Sequence, residues 1–214
     1  MLPMVVDLAR LKLVLVGNGD AAERRLRRLD AAGALDLTVY ADAPASSLAL
    51  AAGRRLRQRL PTVQELATAQ LVFISDRSAP WCRHFAAAAR AGGALVHVED
   101  EPALSDLHAP AVLERGDLLI AVSTGGKSPG LAARIKSFLG ALFGPEWQQR
   151  LDRLAELRQG WRRGGADPET VAQWTTTWVT TQGWLPADDP VGASAPQVRG
   201  DRVGASAREL TRKH

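Results

Sequence analysis

The stretch Leu13-Val14-Leu15-Val16-Gly17-Asn18-Gly19-Asp20-Ala21-Ala22 decides the fold of this chain. Four apolar residues run into a glycine-rich turn, and an amphipathic helical pattern begins at Ala22. The spacing G-x-G-x-x-A, carried by Gly17, Gly19 and Ala22, is typical of a strand-turn-helix unit that binds a dinucleotide. In such a unit, free N–H groups at the start of the helix hold a pyrophosphate. The alternative is an ordinary tight turn, because Gly-Asn-Gly is also common turn chemistry.

The composition is that of a globular protein with a substantial core. The chain has 214 residues, 46% of them hydrophobic, a formal net charge of +4 and a single cysteine, Cys82. One cysteine excludes a disulfide framework and a zinc site built from several cysteines, and it favours a reducing cytoplasm. The mild positive charge suits a polyanionic small molecule, and we do not expect nucleic acid as a partner. Neither a signal-peptide pattern nor an apolar stretch of membrane-spanning length is found, so no membrane association is expected.

Apolar runs alternate with helical patterns through the first half of the chain. The runs predict buried strands at residues 12–16, 37–40, 71–74 and 95–98, and shorter strands at residues 4–6 and 56–60. Helical patterns follow Ala22, Ser46, Thr62 and Pro80. This alternation indicates an α/β fold with a Rossmann-type, doubly wound parallel sheet.

In a sheet of this kind, ligands bind beyond the carboxyl ends of the strands. The cofactor-binding candidates are therefore the residues around those ends: Gly17, Asn18, Gly19, Asp20, Ala21, Asp42, Ser75, Asp76, His97 and Val98. Among them, Asp42 either accepts the ribose hydroxyls of NAD or is only a loop acid. In the first case its charge would repel a 2′-phosphate, so NAD is expected to bind in preference to NADP.

Asp100 lies two residues beyond the strand at residues 95–98. A carboxylate at this edge of the sheet can accept a proton while a hydride leaves for a nicotinamide. The alternative is that Asp100 and Glu101, which precede Pro102, are only turn residues.

A second glycine-rich turn follows a strand predicted at residues 118–122 and precedes a helix predicted to end near Phe143. Its backbone N–H groups, together with Lys127, either form an anion site or only a tight turn. The substrate-binding candidates in this turn are Ser123, Thr124, Gly125, Gly126, Lys127 and Ser128. Further along, residues 151–162 predict an amphipathic helix, and tryptophans at helical spacing indicate the core of a small helical domain.

The segment from Val98 to Leu107, Val-Glu-Asp-Glu-Pro-Ala-Leu-Ser-Asp-Leu, is similar to a segment of the precorrin-2 dehydrogenase/sirohydrochlorin ferrochelatase family. The likeness continues through Pro110-Ala111, Arg115-Gly116-Asp117-Leu118 and the run Ala121-Val-Ser-Thr-Gly-Gly-Lys-Ser-Pro129. The first glycine turn also resembles the opening of this family, which is the N-terminal module of sirohaem synthases. The resemblance covers roughly residues 1–145, a full domain.

This resemblance implies an NAD-dependent oxidation of precorrin-2 to sirohydrochlorin by an intertwined homodimer. It also implies a second activity in some members, the insertion of Fe²⁺ to give sirohaem. Asp100 matches the aspartate that the family uses in both reactions, and Ser128 matches a residue lining the tetrapyrrole site. No fixed metal site is expected, although Asp100 could hold the ion transiently.

The implied organisation is an NAD-binding Rossmann domain at residues 1–112, a dimerisation region at 113–145, a helical C-terminal domain at 146–185 and a flexible tail at 186–214. The chain departs from the family pattern at Arg77, His97, Leu107 and His108. His97 is either functional or, as is commoner for a histidine at a strand end, structural. The alternative function is a non-catalytic module that binds the tetrapyrrole or the nucleotide and delivers it to a partner.

Overall fold

The computed structural model describes residues 2–185, which fall into two compact units. The first unit extends to Pro145 and the second begins at Glu146. A five-stranded sheet with flanking helices and a separate hairpin build the first unit, whereas the described part of the second is helical.

The main sheet is parallel throughout. Its strands are β1 (Lys12–Val16), β2 (Asp36–Tyr40), β3 (Leu56–Arg57), β4 (Leu71–Ile74) and β5 (Leu95–Val98). The helices between them are α1 (Asp20–Ala31), α2 (Ser46–Ala52), α3 (Val63–Ala67) and α4 (Ala79–Ala91). The spatial order is β3-β2-β1-β4-β5, which confirms the predicted doubly wound fold class.

The register aligns the carboxyl ends of four strands. Val16 at the end of β1 lies between Tyr40 of β2 and Ile74 of β4, and Ile74 in turn pairs with Val98 of β5. The chain builds outward from β1 on one side and then returns to build β4 and β5 on the other. The strand order therefore reverses between β1 and β4, where sheets of this type open a ligand-binding crevice.

Both faces of the sheet are buried under helices. Val14 of β1 and Phe85 of α4 belong to the core on one face, and Leu15 of β1 packs with Leu26 of α1 and Leu48 of α2 on the other. Burial on two faces explains why β1 and β4 are apolar without interruption.

An antiparallel hairpin follows the main sheet. It consists of β6 (Ala111–Arg115) and β7 (Leu118–Val122), and it turns at Gly116, which has a φ of 59°. Helix α5 (Pro129–Leu142) packs against this hairpin. The sequence predicts β7 and α5 but not β6, because Glu114 and Arg115 interrupt its apolar character.

The second unit contains α6 (Glu146–Arg163) and α7 (Pro168–Thr181). The guanidinium of Arg150 lies 5.1 Å from the ring centre of Trp147 and 5.5 Å from that of Trp184, so a cation–π cluster joins the two ends of the described part of this unit. Helix α6 begins at Glu146, five residues before the predicted start at Leu151.

Of the two shorter strands predicted, one was wrong and the other was too long. Residues 4–6 form no strand and their side chains are exposed, so this apolar run finds no partner strand. Of residues 56–60, only Leu56 and Arg57 pair with β2. The predicted tail at residues 186–214 lies outside the described residues. Within residues 2–185, no helix combines the length and apolar character that crossing a bilayer requires.

Candidate active site

The first glycine turn brings three strands into close contact. A Cβ on Gly17 would lie 2.6 Å from the Cβ of Ala22 and 2.8 Å from the carbonyl oxygen of Ser75. Gly17 also donates its N–H to the carbonyl of Tyr40 at 3.0 Å. Glycine is therefore needed here because α1 and the turn after β4 both approach the backbone closely. Gly17 and Ala22 have the packing role that the G-x-G-x-x-A pattern predicts.

Asp76 completes the start of helix α1. The helix begins after Gly19, which has no side chain to cap it. The Oδ2 atom of Asp76 instead accepts the N–H groups of Gly19 and Ala22, each at 2.9 Å. Within the described part of the chain, the N–H groups of Asp20 and Ala21 have no acceptor. Free amides at a helix N-terminus can bind an anion such as a pyrophosphate.

We expect Asp76→Ala to lower the free energy of unfolding by about 2 kcal/mol, since it removes a charged helix cap and places alanine at a φ of 54°. Asp76→Asn should lose less than about 1 kcal/mol, because asparagine keeps an acceptor oxygen and tolerates this conformation. Urea unfolding of both variants checks the difference. Equal stability of the alanine variant and the original chain would contradict the capping role.

Asp42, Asn18 and Arg77 form a polar cluster at the ends of β1, β2 and β4. One oxygen of Asp42 accepts from Arg77 at 2.7 Å and from the Asn18 amide at 2.9 Å. Arg77 also donates to the Asn18 side-chain oxygen at 2.9 Å. The Arg77 guanidinium and the Asn18 amide hold the pKa of the Asp42 carboxyl below its usual value. Arg77, which departs from the family pattern, thus has a defined partner in the predicted ribose-binding acid.

The neighbouring Ser75 is buried, and its hydroxyl has no partner among the described residues. A buried hydroxyl without a partner beside free backbone amides is compatible with a bound polar ligand. The residues present around the first glycine turn therefore fit a dinucleotide, which would be held by the amides of Asp20 and Ala21 and bordered by Asp42.

A cleft of about 370 Å³ lies at the carboxyl end of β5. It unites Asp100 with the second glycine turn, which lies far along the chain. Its principal polar and loop residues are Arg25, Arg28, His97, Glu99, Asp100, His108, Ser123, Thr124 and Gly126. The structure thereby brings the predicted catalytic residue together with part of the predicted substrate-binding turn.

Asp100 is exposed to this cleft and has a φ of 59°. Asp76, at the equivalent position two residues after β4, has a φ of 54°. Left-handed backbone is uncommon for residues other than glycine, and it concentrates at functional sites. Aspartate adopts this conformation more readily than most residues, and here it lies at the mouth of a cleft.

A partly buried ion pair lines the cleft. Arg25 of α1 donates to Glu99 at 2.6 Å and to Nε2 of His97 at 2.8 Å. Because a guanidinium only donates, Nε2 of His97 accepts, and its Nδ1–H donates to the carbonyl of Leu107 at 3.0 Å. Both ring nitrogens of His97 are thus engaged, and its predicted contact with the cofactor stays a prediction.

His97 and Arg25 lower the pKa of Glu99 to about 2. Arg25 is the closer of the two, since Nε2 of His97 lies 3.7 Å from the Glu99 oxygen. Neither Arg25 nor Glu99 is among the predicted site residues. The available signal is the position of Arg25 on the apolar face of α1, between Ala22 and Leu26, where a charged residue needs a buried partner.

The second glycine turn is held by its own hydroxyl groups. Thr124 donates its hydroxyl to the carbonyl of Ser128 at 3.0 Å and accepts the Ser128 N–H at 3.1 Å. The Ser128 hydroxyl oxygen accepts from the N–H of Leu131 and so caps α5. Lys127 is exposed. The turn is consequently rigid, and the Ser128 hydroxyl keeps its hydrogen for a ligand.

Comparison with known proteins places the chain in a family. Residues 4–111 match the family model described as "Putative NAD(P)-binding", and residues 115–141 match the one described as "Sirohaem biosynthesis protein central". Siroheme synthase of Tolumonas auensis is 30% identical over an alignment of 213 positions, which covers 89% of this chain and 45% of that protein. Siroheme synthase of Chromobacterium violaceum is 36% identical over 155 residues, 71% of this chain and 33% of that protein.

The chain thus spans less than half the length of these relatives. Among solved structures, it is similar to SirC, a precorrin-2 dehydrogenase, with a TM-score of 0.68 and 22% identity over 87% of this chain and 93% of that one. At this identity the likeness concerns the fold. The chain belongs to the family described as "Putative NAD(P)-binding", and its resemblance to the N-terminal module of sirohaem synthases is confirmed.

Proposed function

We propose that the chain oxidises precorrin-2 to sirohydrochlorin with NAD as the acceptor, in the cytoplasm. The observation that carries this proposal is the cleft in which Asp100 meets the second glycine turn, next to a dinucleotide-type turn on the same sheet edge. The family membership and the siroheme synthase relatives support the same pathway.

Oxidation of the substrate removes a hydride and a proton. Bound NAD would supply the hydride acceptor. Asp100 is exposed in the cleft and takes the proton as general base. The exposed Arg28 at the cleft wall would attract the carboxylates of the tetrapyrrole, whereas Arg25 is already neutralised by Glu99.

Anaerobic incubation with precorrin-2 and NAD tests the proposal. NADH formation and the absorbance of the oxidised tetrapyrrole should rise together in proportion to enzyme. Binding of both ligands without turnover would instead support the alternative, a non-catalytic tetrapyrrole- or nucleotide-binding module.

A second reaction at the same cleft is the insertion of Fe²⁺ into sirohydrochlorin, with the metal as substrate. The exposed carboxylates Asp100 and Glu101 favour it, because they could accept the pyrrole protons or pass the ion inward. Addition of ferrous or cobaltous ion to the completed dehydrogenase reaction should then change the tetrapyrrole absorbance faster than it changes without protein.

The proposed assembly is a homodimer formed through α5. Leu131, Ile135, Phe138 and Leu142 lie on one face of this helix and are exposed by 51%, 36%, 64% and 57%. Their spacing is that of a single helical stripe, so the outer face of α5 is apolar while its inner face covers the hairpin. Apolar stripes of this kind mark protein–protein interfaces, and a second copy of the chain would bury this one against its own equivalent.

We expect light scattering at micromolar concentration to give a dimer, and Phe138→Glu to shift the population to monomer by weakening association about a hundredfold or more, as hot-spot substitutions do. Ser137→Glu adds the same charge beside the stripe and should leave the dimer intact. A monomeric parent chain, or equal effects of both substitutions, would count against this interface.

A further inference from the structure

Asp42, the acid expected to select NAD over NADP, forms an ion pair with Arg77. In the sequence, Asp42 after β2 predicts repulsion of a 2′-phosphate. In the structure, the guanidinium of Arg77 lies 2.7 Å from its carboxylate. The repulsive charge at the ribose end of the proposed cofactor site is therefore paired with a permanent positive charge.

Arg77 is fixed in this position. Its side chain is only 8% exposed, and it also donates to Asn18 in the first glycine turn at 2.9 Å. Its Nε is buried and has no acceptor among the described residues. Arg77 thus connects the turn after β4 to both the predicted ribose-binding acid and the glycine turn.

Two other arginines near this end of the sheet are engaged elsewhere. Arg55 forms an ion pair with Asp30, and Arg57 donates to the backbone carbonyls of Arg54 and Leu56. Arg77 is therefore the guanidinium that the structure places directly on Asp42. A guanidinium matches the geometry of a phosphate dianion and offsets the carboxylate that would exclude it.

We propose that Arg77 determines dinucleotide selectivity: the Asp42–Arg77 pair admits NADP as well as NAD, whereas Asp42 without its partner selects NAD. This inference rests on the proposed function, since it concerns the same cofactor site. It replaces the strict NAD preference that Asp42 predicts from sequence with a preference set by the pair.

Calorimetric titration of NAD and NADP against the full chain tests the inference without turnover. The dissociation constants of the original chain should differ by less than about tenfold. Arg77→Gln should raise the ratio of the NADP constant to the NAD constant by about tenfold or more, the value of one hydrogen bond to a charged group. Glutamine keeps a donor for Asn18, so NAD affinity should change by less than about threefold.

Arg83→Gln, on the exposed face of α4, is the matched control and should leave the ratio unchanged. Asp42→Asn is a second variant and should lower the ratio, because it leaves the arginine charge uncompensated. An unchanged ratio in both Arg77→Gln and Asp42→Asn, with NAD still bound, would overturn the selectivity role of Arg77 but not the proposed function. Failure of the original chain to bind either dinucleotide would overturn this inference together with the proposed function.

Discussion

Asp100→Asn is expected to lower the rate of precorrin-2 oxidation by about two to four orders of magnitude, the usual contribution of a general base. Asparagine preserves the shape of the side chain and tolerates the φ of 59° at this position, but it cannot accept the proton. Since Asp100 is exposed at the cleft mouth and belongs to no core, the thermal midpoint and NAD affinity should remain close to their original values.

Glu101→Gln is the matched control, because Glu101 is the adjacent exposed carboxylate on the same cleft. It should retain a rate within about threefold of the original, since a group that moves no proton contributes little. Near-original turnover of Asp100→Asn would show that the acid–base role is wrong. Unfolding of that variant would show that Asp100 is only a turn residue.

Arg25→Met is expected to lower the free energy of unfolding at pH 7 by about 1.5–3 kcal/mol, the cost of losing hydrogen bonds to a charged, half-buried carboxylate. The substitution leaves Glu99 without its guanidinium partner and removes the donor to Nε2 of His97. It also removes the cation–π contact of the guanidinium, which lies 5.4 Å from the ring centre of Phe73. Urea unfolding measures the effect. Arg28→Met, on the exposed side of the same helix, should change stability by less than about 0.5 kcal/mol.

The pH dependence distinguishes a lost ion pair from lost packing. The folded chain holds the pKa of Glu99 at about 2, below its usual value, so the pair contributes its full stability above the unfolded pKa near 4.5. That contribution disappears as the pH falls toward 2. The stability difference between the original chain and Arg25→Met should therefore shrink between pH 5 and pH 3. A difference that is constant with pH would mean that Arg25 acts through packing alone.

The fold was predictable because its determinants are local in the sequence. The apolar runs at residues 13–16 and 71–74, the largely apolar β5 and the glycine turn after Val16 specify buried parallel strands with helices between them. Strand β6 was missed because its charged residues interrupt the apolar pattern of a strand. Residues 4–6 were predicted as a strand because they are apolar, but an apolar run alone does not provide a partner strand.

The candidate site was predictable in part. Asp100 and the turn at residues 123–128 stand out by position and by resemblance, and their meeting in one cleft agrees with both. Arg25, Glu99 and the role of Asp76 were missed because each depends on a partner distant in sequence. A single sequence shows a charged residue on an apolar helix face, but it does not show which carboxylate the fold will bring to it.

The cap that Asp76 provides has a consequence for the order of folding. The two hydrogen bonds join residues that are 57 and 54 positions apart, so the amino end of α1 cannot be completed from its own segment. It must wait until β4 has joined β1, and the cost of closing that loop is met before the bonds form. The first glycine turn lies within ten consecutive residues, but its capping hydrogen bonds can therefore form only after β4 has docked on β1.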